Sequence, residues 1–411
     1  MKILANGMVL NVSIRLFALL LRLLLSLSVA RVLSDDNLAS FYLITALIGF
    51  SVIPLGFDFY IYSTREYARG YQFLSIIKSS LKFYSFTYSV FIPLIFFFSA
   101  WYFSISIAVL VILILIFEHL GQEMYRIYII SGRPLLSSSL MFLRGAVWVI
   151  PLLIFDIVDS YSLETVLYLW VSFAFLSLII GGFFLNINFK SLFNVKVDLD
   201  WFRSGVSVCC KLIIGTVALK VIFFLDRYFI ESINGGLYMS AYSFFFGLFL
   251  TSIAIYDSSV NAYKMKFLLA YKPFSNDYWK VAFIMVSSVF LISTPFLVLA
   301  LNVDLFLSLV DIERFEGLEY LSFYCFFSVF FLLFSSVIGG FITSTKKDFG
   351  NYVGNIFPFV AFLMMIYVFW GEDDFVPLAV LLSLLSMFIF KLVYFMKCYV
   401  FNYGEILSVY R

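Results

Sequence analysis

Charge is what this sequence has least of: only 13% of its 411 residues are Asp, Glu, Lys or Arg. A water-soluble domain usually carries about 25%, so water is excluded as the main solvent of the fold. Histidine is nearly absent. The single one, His119, cannot build a histidine-rich metal centre. The four cysteines, Cys209, Cys210, Cys325 and Cys398, form no CxxC pair and lie in or beside apolar segments, so neither a disulfide framework nor a thiolate metal site is expected. No GxxxxGK[ST] loop occurs, which excludes an ATPase acting by itself. No set of catalytic side chains, no metal and no cofactor is called for, and no stretch is long and polar enough for a separate soluble domain.

What the chain has instead is hydrocarbon. Hydrophobic residues make up 63% of it and aromatic ones 21%. Apolar runs of about 20 residues recur throughout, the length needed to cross about 30 Å of bilayer as a helix. Twelve can be placed, near 8–30, 39–62, 83–100, 104–126, 135–156, 163–185, 204–226, 237–257, 281–301, 318–343, 350–370 and 375–397. The first is expected to be a retained span and not a cleaved signal, because Arg15 and Arg22 interrupt it and it exceeds a typical signal core.

The remaining charge is sorted by side. The N-terminus, the even-numbered loops and the C-terminal tail hold 19 Lys and Arg, among them Arg65, Lys78, Arg126, Arg133, Lys190, Lys264, Lys346, Lys391 and Lys397. The odd-numbered loops hold only Arg31, Arg227 and Arg314, and are acidic, as in DIVDSYSLE, VDIERFEGLE and GEDD. Basic loops stay on the cytoplasmic side. Both termini are therefore expected there, with an even number of spans and acidic periplasmic loops near 156–163, 302–317 and 371–374.

The chain also repeats itself. Sliding residues 7–57 by 196 positions lays VARVLSDDNLASFY over LDRYFIESINGGLY without a gap, Arg31 on Arg227, Asp35 on Glu231, Tyr42 on Tyr238 and Arg15 on Lys211. Six spans per half is an even number, so both halves start on the same side. A parallel repeat is expected, with an N-terminal lobe at 1–197 and a C-terminal lobe at 198–411, as in transporters that rock two bundles around a central site.

Five cations interrupt the apolar segments: Arg15, Arg22, Arg144, Lys211 and Lys220. A charge at the bilayer centre costs on the order of 3 kcal/mol by insertion scales. Arg15, Lys211 and Lys220 are within snorkelling reach of a helix end. Arg22 and Arg144 lie about 15 Å inside at 1.5 Å per residue, and must face protein or a wet cavity. Asn11, Arg15, Arg22 and Ser26 share an arc of about 60° on the first helix, one polar stripe expected to point at a lumen.

The stretch IFEHLGQEMYR, residues 116–126, follows the wholly apolar ISIAVLVILILIF. Glu118, His119, Gln122, Glu123 and Arg126 occupy an arc of about 140° at 100° per residue, which predicts a helix end that is apolar on one side and wet on the other. Glu123 and Arg126 read as an interfacial ion pair. Glu118, about 12 Å inside the boundary, should pair with a buried cation such as Arg15 or Arg144, or carry a proton, or do both in turn; His119 is a weaker relay.

With twelve spans in two six-helix halves, the entry LSDDNLASFYLI to the second span, and the stretch LDRYFIESINGGLYMSAYSFFFGLF at 225–249, the chain resembles the polysaccharide (O-antigen, Wzx-type) flippases of the multidrug/oligosaccharidyl-lipid/polysaccharide (MOP) exporter superfamily. The resemblance implies an all-α, two-lobed, V-shaped transporter of the bacterial inner membrane. It implies a substrate, an undecaprenyl-diphosphate-linked oligosaccharide flipped from the cytoplasmic to the periplasmic leaflet. A lumen lined by Arg15, Arg22, Arg144, Lys211 and Lys220 would receive the diphosphate. The implied partners are that lipid-linked sugar, membrane lipid, a coupling proton or sodium ion, and the polymerase and chain-length proteins of the same pathway. Nucleic acid is not needed to explain the basic loops.

Two other classes fit the composition. A membrane polysaccharide polymerase would carry a long periplasmic loop with catalytic Arg or His, whereas the longest odd-numbered loop here is short and acidic. A multidrug exporter of the same superfamily would favour acidic residues around a cation pocket, whereas five buried cations are expected here against two buried acids, Glu118 and Glu123.

Overall fold

The computed structural model describes residues 2–68, 73–156, 161–185, 199–345, 349–369 and 375–409, and every regular element among them is helical. Among the described residues, eleven helices are long and apolar enough to cross a membrane, and a bent pair, Asp200–Cys210 and Ile213–Asn234, turning by 46°, brings the number to twelve when counted as one span. The protein is a multi-pass membrane protein. Lys190, Lys196, Lys346, Lys347 and the acidic loop residues 157–160 and 371–374 lie outside the described residues.

In the first half run α1 (Lys2–Val32), α2 (Asp35–Gly56), a short α3 (Phe59–Ala68), α4 (Phe73–Tyr102) and α5 (Ile105–Ile130). There follow α6 (Pro134–Phe142), a π-helical turn at Leu143–Val147, α7 (Val149–Asp156) and α8 (Leu163–Leu185). Starts follow local chemistry: Ser104 accepts a hydrogen bond from the Ile107 amide at 3.4 Å and caps α5. Pro134 opens α6, where its missing N–H costs nothing.

In the second half come α9 (Leu199–Asn234), α10 (Gly236–Tyr256), a π turn at Asp257–Asn261, α11 (Ala262–Ala270) and α12 (Asn276–Leu301). Last are α13 (Val303–Leu309), α14 (Leu321–Ser344), α15 (Phe349–Val368) and α16 (Phe375–Val409). Gly235 joins α9 to α10 at φ +88°, a backbone state that side-chain-bearing residues rarely adopt.

The chain divides into two compact units, Met1–Val217 and Ala218–Arg411, the division falling inside α9. In the first unit α1 packs along α6, the π turn and α7, and α5 packs on α4, α6 and α8. An aromatic cluster of Phe59, Phe83, Tyr84 and Trp201 ties α3 and α4 to the start of α9. In the second unit α14 packs on α10, α12 and α16 around Tyr256, Tyr278, Leu333, Phe341 and Phe395.

Several segment edges differ from the sequence reading; α4, for one, starts at Phe73 and not near 83. The second span is expected to reach 62, but it stops at Gly56 and Phe57 closes it in the left-handed region at φ 51°. The apolar residues beyond, such as Phe59, then build the separate helix α3. The last span, expected at 375–397, is found at Phe375–Val400, and α16 continues past it to Val409. Lys391, counted with the basic tail, lies inside that span and is only 4% exposed. Apolar content marks the hydrocarbon-crossing part of a helix, and backbone hydrogen bonding carries the helix past it.

Candidate functional site

The polar residues of α1 do not stand alone. Arg15 donates from Nε to Ser138 Oγ at 3.2 Å and from a terminal nitrogen to Tyr125 Oη at 3.0 Å, and Ser138 in turn donates to Asn11 Oδ1. Two turns on, Arg22 donates from Nε to the Gly145 carbonyl at 3.2 Å while its side chain stays exposed on the protein surface. The stripe therefore lies against the fifth span, along Ser138 and Gly145, and its open part is at Arg22. Among the described residues neither Arg15 nor Arg22 makes an ion pair.

The π turn decides where Arg144 goes. One extra residue in the turn swings the side chain at 144 towards α5. Its Nε lies 3.1 Å from Glu118 Oε2, and a terminal nitrogen donates to the Glu118 carbonyl at 3.3 Å. The Nε contact is an ion pair without hydrogen-bond geometry, since that nitrogen has no hydrogen-bond partner. Both residues are buried, at 7% and 8% exposure. The other carboxylate oxygen, Oε1, accepts from Trp170 Nε1 at 2.9 Å, and Trp170 stacks on Trp148 with centroids 5.7 Å apart.

Two glycines make this possible. A Cβ on Gly121 would sit 2.4 Å from an Arg144 nitrogen, and one on Gly145 would sit 2.5 Å from an Arg22 nitrogen. Arg22 also lies within electrostatic reach of Glu118 and Arg144. Arg22 and Arg144 thus share the neighbourhood of one carboxylate, with Arg15 two turns away on α1.

IFEHLGQEMYR is not one wet face. Glu118 points to the π turn and α8, whereas His119 and Glu123 point to α4. His119 is fully buried, its Nδ1 2.6 Å from Tyr88 Oη and its Nε2 facing Gly56 with no partner. Glu123 accepts from Tyr84 Oη at 2.6 Å and pairs with Arg126, whose guanidinium rests 3.5 Å over the Tyr60 ring. Successive residues differ by 100° around a helix, so one turn of α5, inside a bundle, serves two neighbours.

The repeat pair shares a role but not a partner. Arg31, at the end of α1, pairs with the buried Asp156 of α7. Arg227 pairs with its own neighbour Asp226 at 3.4 Å and donates to the Phe223 carbonyl. Lys220 is exposed on the second unit. The side chain of Lys211 lies outside the described ones.

Several groups were not singled out from sequence. Asp226 is fully buried and accepts from Tyr242 Oη at 2.9 Å; it closes the segment 204–226 and was assigned no role there. Lys391 sits between α14 and α15, its Nζ 3.5 Å from where a Gly339 Cβ would lie and its stem against Gly354. Trp170, Tyr84 and Tyr88 carried no signal among so many aromatics.

With this geometry in hand, the chain can be set beside known proteins. No protein-family model matches it, and no curated protein does. Solved structures do. An inward-facing multidrug resistance MATE family transporter of the MOP superfamily aligns with a TM-score of 0.67 at 11% identity, over 96% of this chain and 97% of that one. The fold is that of the MOP transporters. An outward-facing structure of such a MATE transporter aligns with a TM-score of 0.58 at 10% identity, over 96% of each chain. A MOP superfamily transporter from Pyrococcus furiosus, described as having a binding pocket of reverse polarity that suggests a different function, aligns at 0.58 and 10% identity over 98% of this chain and 96% of its own.

Proposed function

We propose that this chain is a bacterial inner-membrane flippase, with both termini cytoplasmic. It carries an undecaprenyl-diphosphate-linked oligosaccharide to the periplasmic leaflet by alternating access. The observation that supports this reading is the arginine set of α1 and the π turn: of Arg15, Arg22 and Arg144, only Arg144 has a carboxylate partner among the described residues, Glu118. A fixed cation in a membrane-embedded site costs several kcal/mol unless an anion offsets it. A diphosphate supplies that anion, and guanidinium groups hold phosphate oxygens in a bidentate manner that Lys does not match. Lys211 and Lys220, both on α9, are the further candidates for contact with the anion.

Glu118 is the candidate for coupling. Held by Arg144 and Trp170, it is the carboxylate that a diphosphate would displace on taking Arg144, and that displacement would link the substrate to the coupling ion. His119 and Glu123 face α4, away from this exchange, and have structural roles. The polymerase and chain-length proteins of the pathway would act on the periplasmic product.

The test is complementation in a host deleted for this gene. Arg22→Ala and Arg144→Ala should abolish surface polysaccharide while the protein still reaches the membrane, and Arg22→Lys should restore part of it. Glu118→Gln should remove the dependence of flipping on the proton gradient. Full activity of both alanine variants sinks the reading. Multidrug export is the second reading, favoured by the MATE neighbours; it predicts that deletion raises drug susceptibility and leaves surface polysaccharide intact.

A further inference from the structure

A cavity of about 350 Å³ lies in the first unit, away from the arginine set, walled by α3, α4, α5 and α8. That volume falls in the range of about 300–1,000 Å³ typical of ligand pockets. Its wall is almost wholly apolar, with Tyr67, Phe73, Ile77, Leu120, Met124 and Leu178 prominent. The charged lining groups are Arg126 and Glu123. They pair with each other, and Tyr84 and the Tyr60 ring take up their remaining faces. The interior therefore offers no net charge to a guest. It suits hydrocarbon.

The exposed charges beside it are basic, and the acid on the same stretch of α3, Glu66, is buried. Arg133 is exposed and donates at 3.2 Å to the carbonyl of Phe184, next to the lining residue Leu185. Arg65 is exposed on α3, between the lining residues Thr64 and Tyr67. Gly182 leaves room: a Cβ built there meets only Met124 Cε, at 3.9 Å.

We propose that this cavity holds the hydrocarbon chain of a phosphate-headed lipid, with the phosphate outside beside Arg133 and Arg65. The apolar wall recognises the chain, at about 25 cal/mol per Å² buried, and the exposed guanidiniums recognise the phosphate. Two lipids share that chemistry, an anionic phospholipid and a polyprenyl phosphate carrier. The site is independent of the flippase reading, because its occupancy is read without any transport.

The test uses the full chain purified in detergent. Phosphatidylglycerol, phosphatidylcholine or a long-chain polyprenyl monophosphate is added, and binding is followed by native mass spectrometry and by melting temperature. The wild type should bind at least one phosphate-headed lipid more tightly than phosphatidylcholine. Gly182→Phe, which projects a ring into the cavity, should weaken that binding on the order of tenfold or more. Arg133→Gln should remove most of the preference over phosphatidylcholine. Gly182→Leu replaces Gly182→Phe if the latter does not accumulate. Binding of phosphatidylglycerol alone assigns a structural lipid, and of the polyprenyl phosphate alone a carrier site; either supports the proposal. Equal binding of phosphatidylcholine, no binding of either phosphate lipid, or undiminished binding by both Gly182 variants overturns it.

Discussion

In the first unit a buried carboxylate is held from three separate elements: Glu118 on α5, Arg144 on the π turn and Trp170 on α8. In the second unit the buried carboxylate Asp226 is held by its chain neighbour Arg227 and by Tyr242, one helix away. The first arrangement exists only while three spans keep their positions. The second is nearly local and survives movement of the helices around it. Lys391 sharpens the contrast: it is a buried cation with no ion pair or hydrogen bond among the described residues, lying near Asn351, whose amide oxygen is itself unpartnered. If one unit senses a bound anion through its packing, this comparison favours the first.

The largest effect should come from Arg144→Met, which strands Glu118. Breaking a buried pair from one side costs about 3–5 kcal/mol, so the melting temperature should fall sharply. The double variant Glu118→Gln/Arg144→Met should recover more than half of that loss. A double variant no more stable than the single one would mean that packing, not pairing, holds the π turn.

Asp226→Asn should cost less, about 2 kcal/mol, because the amide oxygen still accepts from Tyr242. A loss as large as that of Arg144→Met in denaturant melts would erase the contrast between a local and a spread-out site.

Lys391→Met should leave stability unchanged or raise it by about 1 kcal/mol, since it removes an unpaired buried ammonium and keeps the apolar stem. A clear drop in the same melts would reveal an anion bound there.

The smallest effect belongs to the Arg31–Asp156 pair. The Arg31 side chain is 46% exposed although Asp156 is 7% exposed, so water replaces part of the lost contact and the loss should stay at about 1 kcal/mol. Arg31→Gln should therefore hardly shift the melt, whereas Arg227→Gln, at 11% exposure, should shift it more. Equal shifts would show that the two halves use their repeated arginines alike.

The sequence by itself determined the solvent and the architecture. Runs of about 20 apolar residues have few alternatives to spanning as helices, so the all-helical fold and its span count were legible from composition and spacing. That Arg144 and Glu118 are buried was legible too, because each lies well inside its apolar segment. Direction was not. Which neighbour a side chain meets depends on its angle around the helix to within one residue, and a π turn changes that angle without any apolar signature. So Glu118 found Arg144 while Arg15 was taken by Ser138 and Tyr125, His119 and Glu123 turned to α4, and Lys391 was drawn into the packed end of α16. Position along a helix is read from the sequence; only the packed bundle decides what a side chain touches there.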